Sequence, residues 1–352
     1  MNTWLPWALV LVPAAISLGC TPYISRMAAK NGVVDAPGGR KIHKEIKPLL
    51  GGLSLYLACV VAIIIFIPVT SKLAAIILGS TIIVLLGLVD DIYNINPSLK
   101  LSGQILAAVV LVLLNHHHFQ VLLDYLQKKL YLPHPVSLAF MVLWIVLMTN
   151  AFNLIDGMDG LAVGTAAIIT IGMAVVAGIK GQFSLMAVML VVLGACLGFL
   201  PYNFPPAKIF MGDTGSMLLG FLLSTLYLHL ITTEPFSASL VLASAFIFAY
   251  PVIDTVFAII RRLLSGQPIF QGDQGHIHHL LLRLGLPERR VIVILYLGTL
   301  LFSALGVLLL SVKVRAHFTL ALGVVSFIGV ALLIVWLEGV AGKRSGSTGI
   351  QG

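Results

Sequence analysis

Charge is what this sequence has least of. Only 10% of its 352 residues are Asp, Glu, Lys or Arg, while 59% are hydrophobic; an ordinary soluble domain carries about 25% charge. So little polar surface excludes a water-soluble globule and makes a bilayer the solvent. Cysteine is nearly absent. Cys20, Cys59 and Cys196 each lie in or at the end of an apolar run, and no CxxC spacing offers a metal knuckle or a redox pair. The GxxxxGK[ST] phosphate loop is missing too, which removes P-loop nucleotide chemistry. Long hydrophilic stretches are equally scarce: 25–48, 116–135 and 261–290 are too short to build a core of their own.

What is there is apolar and helical. Eleven stretches are long enough to span a bilayer, which takes roughly 20 residues: 3–24, 49–69, 72–90, 101–115, 136–152, 161–179, 183–201, 215–233, 238–260, 291–311 and 317–336. The first is kept as a span and not a cleaved leader, because its basic residues follow the apolar run instead of preceding it. The expected fold is an all-α polytopic membrane protein of about eleven transmembrane helices. Residues 1–342 form one membrane domain, and the Gly/Ser-rich 343–352 a flexible cytoplasmic tail. With the N-terminus outside, the inner loops hold 15 of the 21 basic residues and the outer loops 6, so the positive-inside bias puts the C-terminus in the cytoplasm. This dispersal also explains the net charge of +8 by membrane orientation, with no nucleic-acid partner.

Carboxylates near hydrocarbon are costly and mark function. There are thirteen acidic residues, and Asp90, Asp91, Asp156, Asp159, Asp213 and Asp273 all fall on the inner side, which points to one polar site at the cytoplasmic face. In GLVDDIYNINPSLKL, Asp90 and Asp91 point about 100° apart on a helix, so a division of labour is expected. One meets a cation or accepts a proton, and the other is held by a neighbour such as Lys100. In TNAFNLIDGMDGLAVG, Asn150, Asn153, Asp156 and Asp159 recur every third residue among Gly157 and Gly160, an irregular cavity-lining pattern able to read a nucleobase or hold a cation. In PYNFPPAKIFMGDTGSMLLG, Asp213 sits among small residues near Asn203 and Lys208, which suits a hard cation such as Mg2+ with a phosphate across it.

The fifth inner loop, PIFQGDQGHIHHLLLRLGLPERR, carries His276, His278 and His279, whose spacing is not HExxH, so hydrogen bonding to sugar or phosphate is favoured over zinc. Arg283 follows His279 by four residues and shares its helix face. Asp254 is placed to pair with Arg261 or Arg262 or to steer this histidine loop. Lys44 and Lys47 in the first inner loop are candidates for attracting anionic lipid or nucleotide. His116, His117 and His118 read as a solvated outer loop.

Taken together, LVDD, NAFNLIDGMDG, PYNFPPAKIFMGDTGS and GHIHH resemble the polyprenyl-phosphate N-acetylhexosamine-1-phosphate transferase family over roughly residues 35–290. The HIHH form is similar to the members that use UDP-N-acetylglucosamine; the phospho-MurNAc-pentapeptide transferase branch carries three histidines in a row, which Ile277 interrupts here. The resemblance implies a multi-pass plasma-membrane (inner-membrane) enzyme of ten or eleven spans. It implies Mg2+ dependence, with Mn2+ as a substitute, and transfer of a sugar 1-phosphate from a UDP-sugar to undecaprenyl or another polyprenyl phosphate, releasing UMP. It implies Asp213 as the leading metal ligand with Asn153 second, and Asp90 accepting the proton of the lipid phosphate or orienting it. Asp91 would support the metal site, Asp156 and Asp159 would contact uridine, and His276, His278 and His279 the sugar phosphate. Lys44, Lys100, Asn150, Asn203, Lys208 and Arg283 complete the expected substrate contacts. Asn94 departs from the family's frequent acidic residue after the DD pair. A homodimer is left open, and a secondary transporter is the reading from another class.

Overall fold

The structure, a computed structural model, describes residues 4–36, 45–129, 131–232, 236–264, 266, 275–312 and 314–348, with side chains through 337. Lys44 and Asp273 lie outside the described residues.

The chain is an all-α polytopic membrane protein. Each of the eleven expected stretches is helical, and ten of the described helices are long and apolar enough to cross a bilayer. In chain order they begin with α1 (Leu5–Lys30), followed by a short antiparallel ladder of β1 (Val34–Asp35) and β2 (Lys47–Pro48). Next come α2 (Gly51–Phe66), α3 (Ser71–Tyr93) and α4 (Pro97–Leu114). After a 3-10 turn at His116–Phe119 follow α5 (Gln120–Lys129), α6 (His134–Ile155), α7 (Leu161–Ile179), α8 (Phe183–Asn203) and α9 (Gly212–Ile231). The last group is α10 (Ala238–Ala245), α11 (Ala249–Leu264), α12 (Ile277–Arg283), α13 (Glu288–Ser311) and α14 (Ala316–Thr348).

Four details depart from the sequence expectation. The second stretch is a helix of only 16 residues, roughly 24 Å long at 1.5 Å per residue. The stretch 116–135 is not plain loop, since it holds the amphipathic α5, whose Leu122 and Leu123 turn inward. The stretch 238–260 is two helices, α10 and α11, joined through a tighter 3-10 turn at Phe246–Phe248. Helix α14 continues through Thr348, beyond Lys343 where the tail is expected to begin.

The bundle is organised around α9, which is buried from Thr214 to Ile231 and packed by α2, α3, α6, α7 and α8. Lipid is as apolar as leucine, so helices in a bilayer associate by close packing, which small residues permit. A Cβ at Gly52 would collide with the backbone of Thr214 and Gly215, and one at Gly220 with the backbone of Met148 and Thr149. Buried α9 can therefore hold polar groups at a fixed depth, with its N-terminus at the end of the bundle where the motifs converge.

Candidate active site

The hairpin from α3 to α4 begins the site. Asn94 takes a left-handed conformation (φ 49°) that stops α3, Asn96 caps α4 by accepting from the Leu99 amide at 2.8 Å, and Pro97 opens the new helix. Asp90 closes the turn by accepting from the Ile95 amide at 2.9 Å. The reversal brings Lys100 back over Asp90, its Nζ 2.9 Å from Oδ2. The same ammonium contacts Asp213 of α9 and, at 3.4 Å, Oδ1 of Asn153 from the end of α6. Asn153 in turn donates from Nδ2 to Asp213 and, at 3.0 Å, to Ser216. Four helices thus contribute Asp90, Lys100, Asn153 and Asp213 to a single knot of charge.

Asp91 is used differently. Its carboxylate accepts from the amide of Asp213 at 2.8 Å, and from the amide and hydroxyl of Thr214 at 3.1 and 2.6 Å. These amides belong to the first turn of α9, whose own N-cap residue, Met211, supplies no side-chain bond. Asp91 therefore caps α9 from another helix, satisfying donors that a helix start leaves orphaned and placing negative charge at the positive end of its dipole. Gly212 makes this approach possible: its φ is +71°, and a Cβ there would lie 2.5 Å from the Asp91 carboxylate.

The knot opens into a polar cleft of about 1130 Å3. Asp90, Asp91, Asn153, Asp156, Asp159, Asn203, Lys208, Asp213 and His279 line it, as do Asn94, Asp35, Glu45, Lys47 and Glu288. Asp159 accepts from the Ala207 amide at 2.7 Å, and buried Asn203 bridges the Gly160 amide (3.1 Å) and the Ile209 carbonyl (3.1 Å), so these two side chains staple the third inner loop to the fourth. The first loop is joined in as well, because the Phe210 amide donates to Pro48 at 2.9 Å and the amides of Gly51 and Gly52 donate to Phe210 and Met211. Burial, followed by the charges of Asp213, Asp91 and Asp159, pushes the Asp156 carboxyl well above the usual carboxylate range.

Among its described residues, the histidine loop reaches the cleft through His279. Asp254 holds it in place, with Oδ2 2.7 Å from Nδ1 of His276 and Oδ1 accepting from the Ile277 amide at 2.8 Å at the start of α12. Of the two readings of Asp254, the structure therefore selects the one in which it steers the histidines. His278 is fully buried between His276 and His279, with ring centroids 5.7 and 4.2 Å away. Burial pushes its imidazole down to about 3. His279 lines the cleft, whereas His276, His278, Arg283, Asn150 and Lys100 do not form its walls. Lys100 instead stands behind Asp90 and Asp213, and Asn150 donates to Gln104 at 2.6 Å and to the Val146 carbonyl at 2.8 Å. Among the described residues, four polar side chains of the cleft went unmarked as site groups in the sequence reading. Glu288 is the one with a visible signal, an acid opening an apolar span, while Asp35, Glu45 and Asn94 reach the cleft only through folding.

Chemically, Asp90 and Asp213 offer two hard oxygen donors around a point already favourable to a cation, as the Lys100 ammonium between them demonstrates. Mg2+ is held by one or two carboxylates, with substrate phosphates and water completing its shell, so this pair fits such an ion. Among the described residues no three His, Cys, Asp or Glu side chains form a ready-made metal cage, which leaves coordination positions to substrate oxygens. Asn153 would join through Oδ1 after rotation of an amide whose nitrogen now faces Asp213.

The fold and site are those of a helical membrane bundle with a polar, carboxylate-rich cleft at one end. The chain belongs to glycosyl transferase family 4, whose sequence profile matches residues 73–231. It is 39% identical over 300 residues to the probable undecaprenyl-phosphate N-acetylglucosaminyl 1-phosphate transferase of Bacillus subtilis (strain 168), covering 84% of this chain and 82% of that protein. Identity is 31% to the decaprenyl-phosphate N-acetylglucosaminephosphotransferase of Mycobacterium tuberculosis (strain ATCC 25618 / H37Rv), over 93% of this chain and 88% of that one. It is 32% to the undecaprenyl-phosphate alpha-N-acetylglucosaminyl 1-phosphate transferase of Escherichia coli (strain K12), over 81% and 79%.

Proposed function

We propose that this enzyme transfers N-acetylglucosamine 1-phosphate from UDP-N-acetylglucosamine to undecaprenyl phosphate at the cytoplasmic face of the plasma membrane, with Mg2+ as cofactor. The observation that carries this reading is the knot of Asp90, Lys100, Asn153 and Asp213 at one end of a membrane bundle. A UDP-sugar is too charged to enter hydrocarbon and a prenyl chain cannot leave it, so their reaction belongs where both meet. An oxygen of the lipid phosphate attacks the β-phosphorus of the donor; the bond from that phosphorus to the bridging oxygen breaks, and UMP departs. Such a transfer needs positioning and neutralisation of charge above all.

Asp213 and Asp90 are the groups proposed to hold Mg2+, with Asn153 joining them. When bound, the ion supplies positive charge to the pyrophosphate oxygens. Asp90 also stands where it would orient the lipid phosphate or accept its proton, while Lys100 balances the two carboxylates. Asp91 keeps α9, and with it Asp213, at the required depth. Asp156 and Asp159 face the part of the cleft proposed for uridine, and His279, backed by His276 and His278, is proposed to meet the sugar phosphate.

The test incubates purified protein with undecaprenyl phosphate, Mg2+ and radiolabelled UDP-N-acetylglucosamine, and follows labelled lipid and UMP with and without EDTA. Lipid product and UMP in equal amounts, both lost on chelation, is the expected result. Product only with UDP-MurNAc-pentapeptide would overturn the donor, and no product with any UDP-sugar would overturn the reaction.

A further inference from the structure

Directly beneath the charged knot lies a second polar layer that does not line the cleft. Gln104 is 1% exposed in the middle of α4, and its Oε1 accepts from Nδ2 of Asn150 at 2.6 Å while its Nε2 donates to the sulfur of Met217 at 3.1 Å. The three members come from α4, α6 and α9. Each stands one turn deeper than a group of the knot on its own helix. Gln104 follows Lys100 by four residues, Asn150 precedes Asn153 by three, and Met217 follows Asp213 by four. On an α-helix those spacings stack the two layers on one face about 5 Å apart.

A buried glutamine in a membrane bundle needs a reason, because leucine would pack the same space without a polar group to satisfy. Shared burial alone does not explain why its two amide ends reach two of the three other helices that carry the knot, α6 and α9. We propose that Gln104 is a positioning residue for phosphoryl transfer: through Asn150 and Met217 it sets the axial register of α4, α6 and α9, and so the separation of Lys100, Asn153 and Asp213. Partners of this outer kind orient the groups that touch the ligand, and their loss typically lowers activity or metal affinity about 10- to 100-fold. The inference rests on the transferase reading above, but it assigns Asn150 to holding the site in register and not to substrate.

The experiment compares wild type, Gln104→Leu and the reciprocal exchange Gln104→Asn with Asn150→Gln, which retains both amides and the total side-chain length. The readouts are kcat, KM for the UDP-sugar, the Mg2+ concentration at half activity, and the thermal shift produced by UMP with Mg2+. For Gln104→Leu, kcat is expected to fall about 10- to 100-fold, the Mg2+ requirement to rise and the UMP-dependent shift to shrink, with the ligand-free melting temperature near wild type. The reciprocal exchange is expected to recover much of kcat. A folded Gln104→Leu with wild-type kcat and Mg2+ requirement would overturn the inference, and so would a loss of activity fully accounted for by lower stability. Gln104→Met provides the same comparison should the leucine variant not fold; failure of both to fold would assign Gln104 to the scaffold and overturn the proposal. Wild-type protein inactive with every UDP-sugar refutes the transferase reading itself, whereas active wild type with an unimpaired Gln104→Leu refutes this inference alone.

Discussion

Replacing Asp91 tests whether an acid at the head of the cleft serves scaffold or chemistry. Its two oxygens receive three hydrogen bonds, two from backbone amides of α9 and one from the Thr214 hydroxyl. Asp91→Ala removes all three. Loss of a helix cap costs about 0.5–2 kcal/mol, and a hydrogen bond to a charged group contributes about 1.5–3 kcal/mol. Water can enter from the cleft to replace part of this, so about 2 kcal/mol is the expected loss. At about 2.1 cal/mol/K of unfolding entropy per residue, the 352 residues convert this to a fall in Tm of about 3 °C. Asp91→Asn keeps one carbonyl acceptor for the α9 amides, and Thr214 can turn to accept from the new amide, so its fall should be about half as large. The assay is thermal unfolding in detergent, read beside the transfer rate of the same preparations. The reasoning predicts that activity and Tm fall together, Ala below Asn below wild type. Equal, near-complete inactivation of Ala and Asn at unchanged Tm would refute it, because that pattern requires the charge of Asp91 in the reaction and not in the cap.

Asp213→Ala should abolish lipid product while the protein remains folded by gel filtration, since it removes the carboxylate to which both Lys100 and Asn153 are directed; near-normal turnover would remove Asp213 from the metal site. Gly212→Ala should lower Tm and activity more than a helix substitution ordinarily does, because both the positive φ and the Asp91 carboxylate oppose the new Cβ; a neutral outcome in the melting and transfer assays would contradict the described turn. His278 has a folded pKa of about 3, lowered chiefly by burial. A depressed value means its stabilising contribution is complete above the unfolded value, about 6.5, and drains away as pH falls toward 3. His278→Phe should therefore flatten the decline of Tm between those limits, which a pH series of melting curves would reveal.

The spans were legible because hydrophobic runs of helical length in a chain with 10% charge have one physical solution. The motif acids were legible because carboxylates in such a chain are rare enough to stand out. What the sequence did not carry was the partner of each acid. Asp91 meets residues 122 and 123 positions later, and Lys100 meets an aspartate 113 positions later; neither spacing has a periodicity to read. Lys100 does hold one acid of the DD pair, as expected, and that acid is Asp90; its second partner, Asp213, could not be read from the spacing. Asn150 and Asn153 belong to the same every-third-residue pattern in sequence. Three residues separate them on α6, and that is enough to put one in the cleft and the other a turn below it, against Gln104. The short ladder of Val34–Asp35 with Lys47–Pro48 was invisible because a two-residue strand has no alternation to detect.

The acids of the inner-face motifs do not form one chemical set, and their hydrogen bonds separate them. Asp91 and Asp254 have both carboxylate oxygens engaged by the start of a helix or a histidine ring, and Asp159 has one oxygen engaged by a loop amide. A carboxylate saturated by backbone donors has little capacity left for a metal or a proton. Asp213 and Asp90 share a mobile kind of partner instead, the Lys100 ammonium on a four-carbon stem, although one oxygen of Asp90 also accepts from the Ile95 amide. Asp156 has no such ammonium partner among the described residues, and burial, followed by three acidic neighbours, holds its carboxyl above the usual range. A cation bound at Asp213 would lower it again by the same electrostatics.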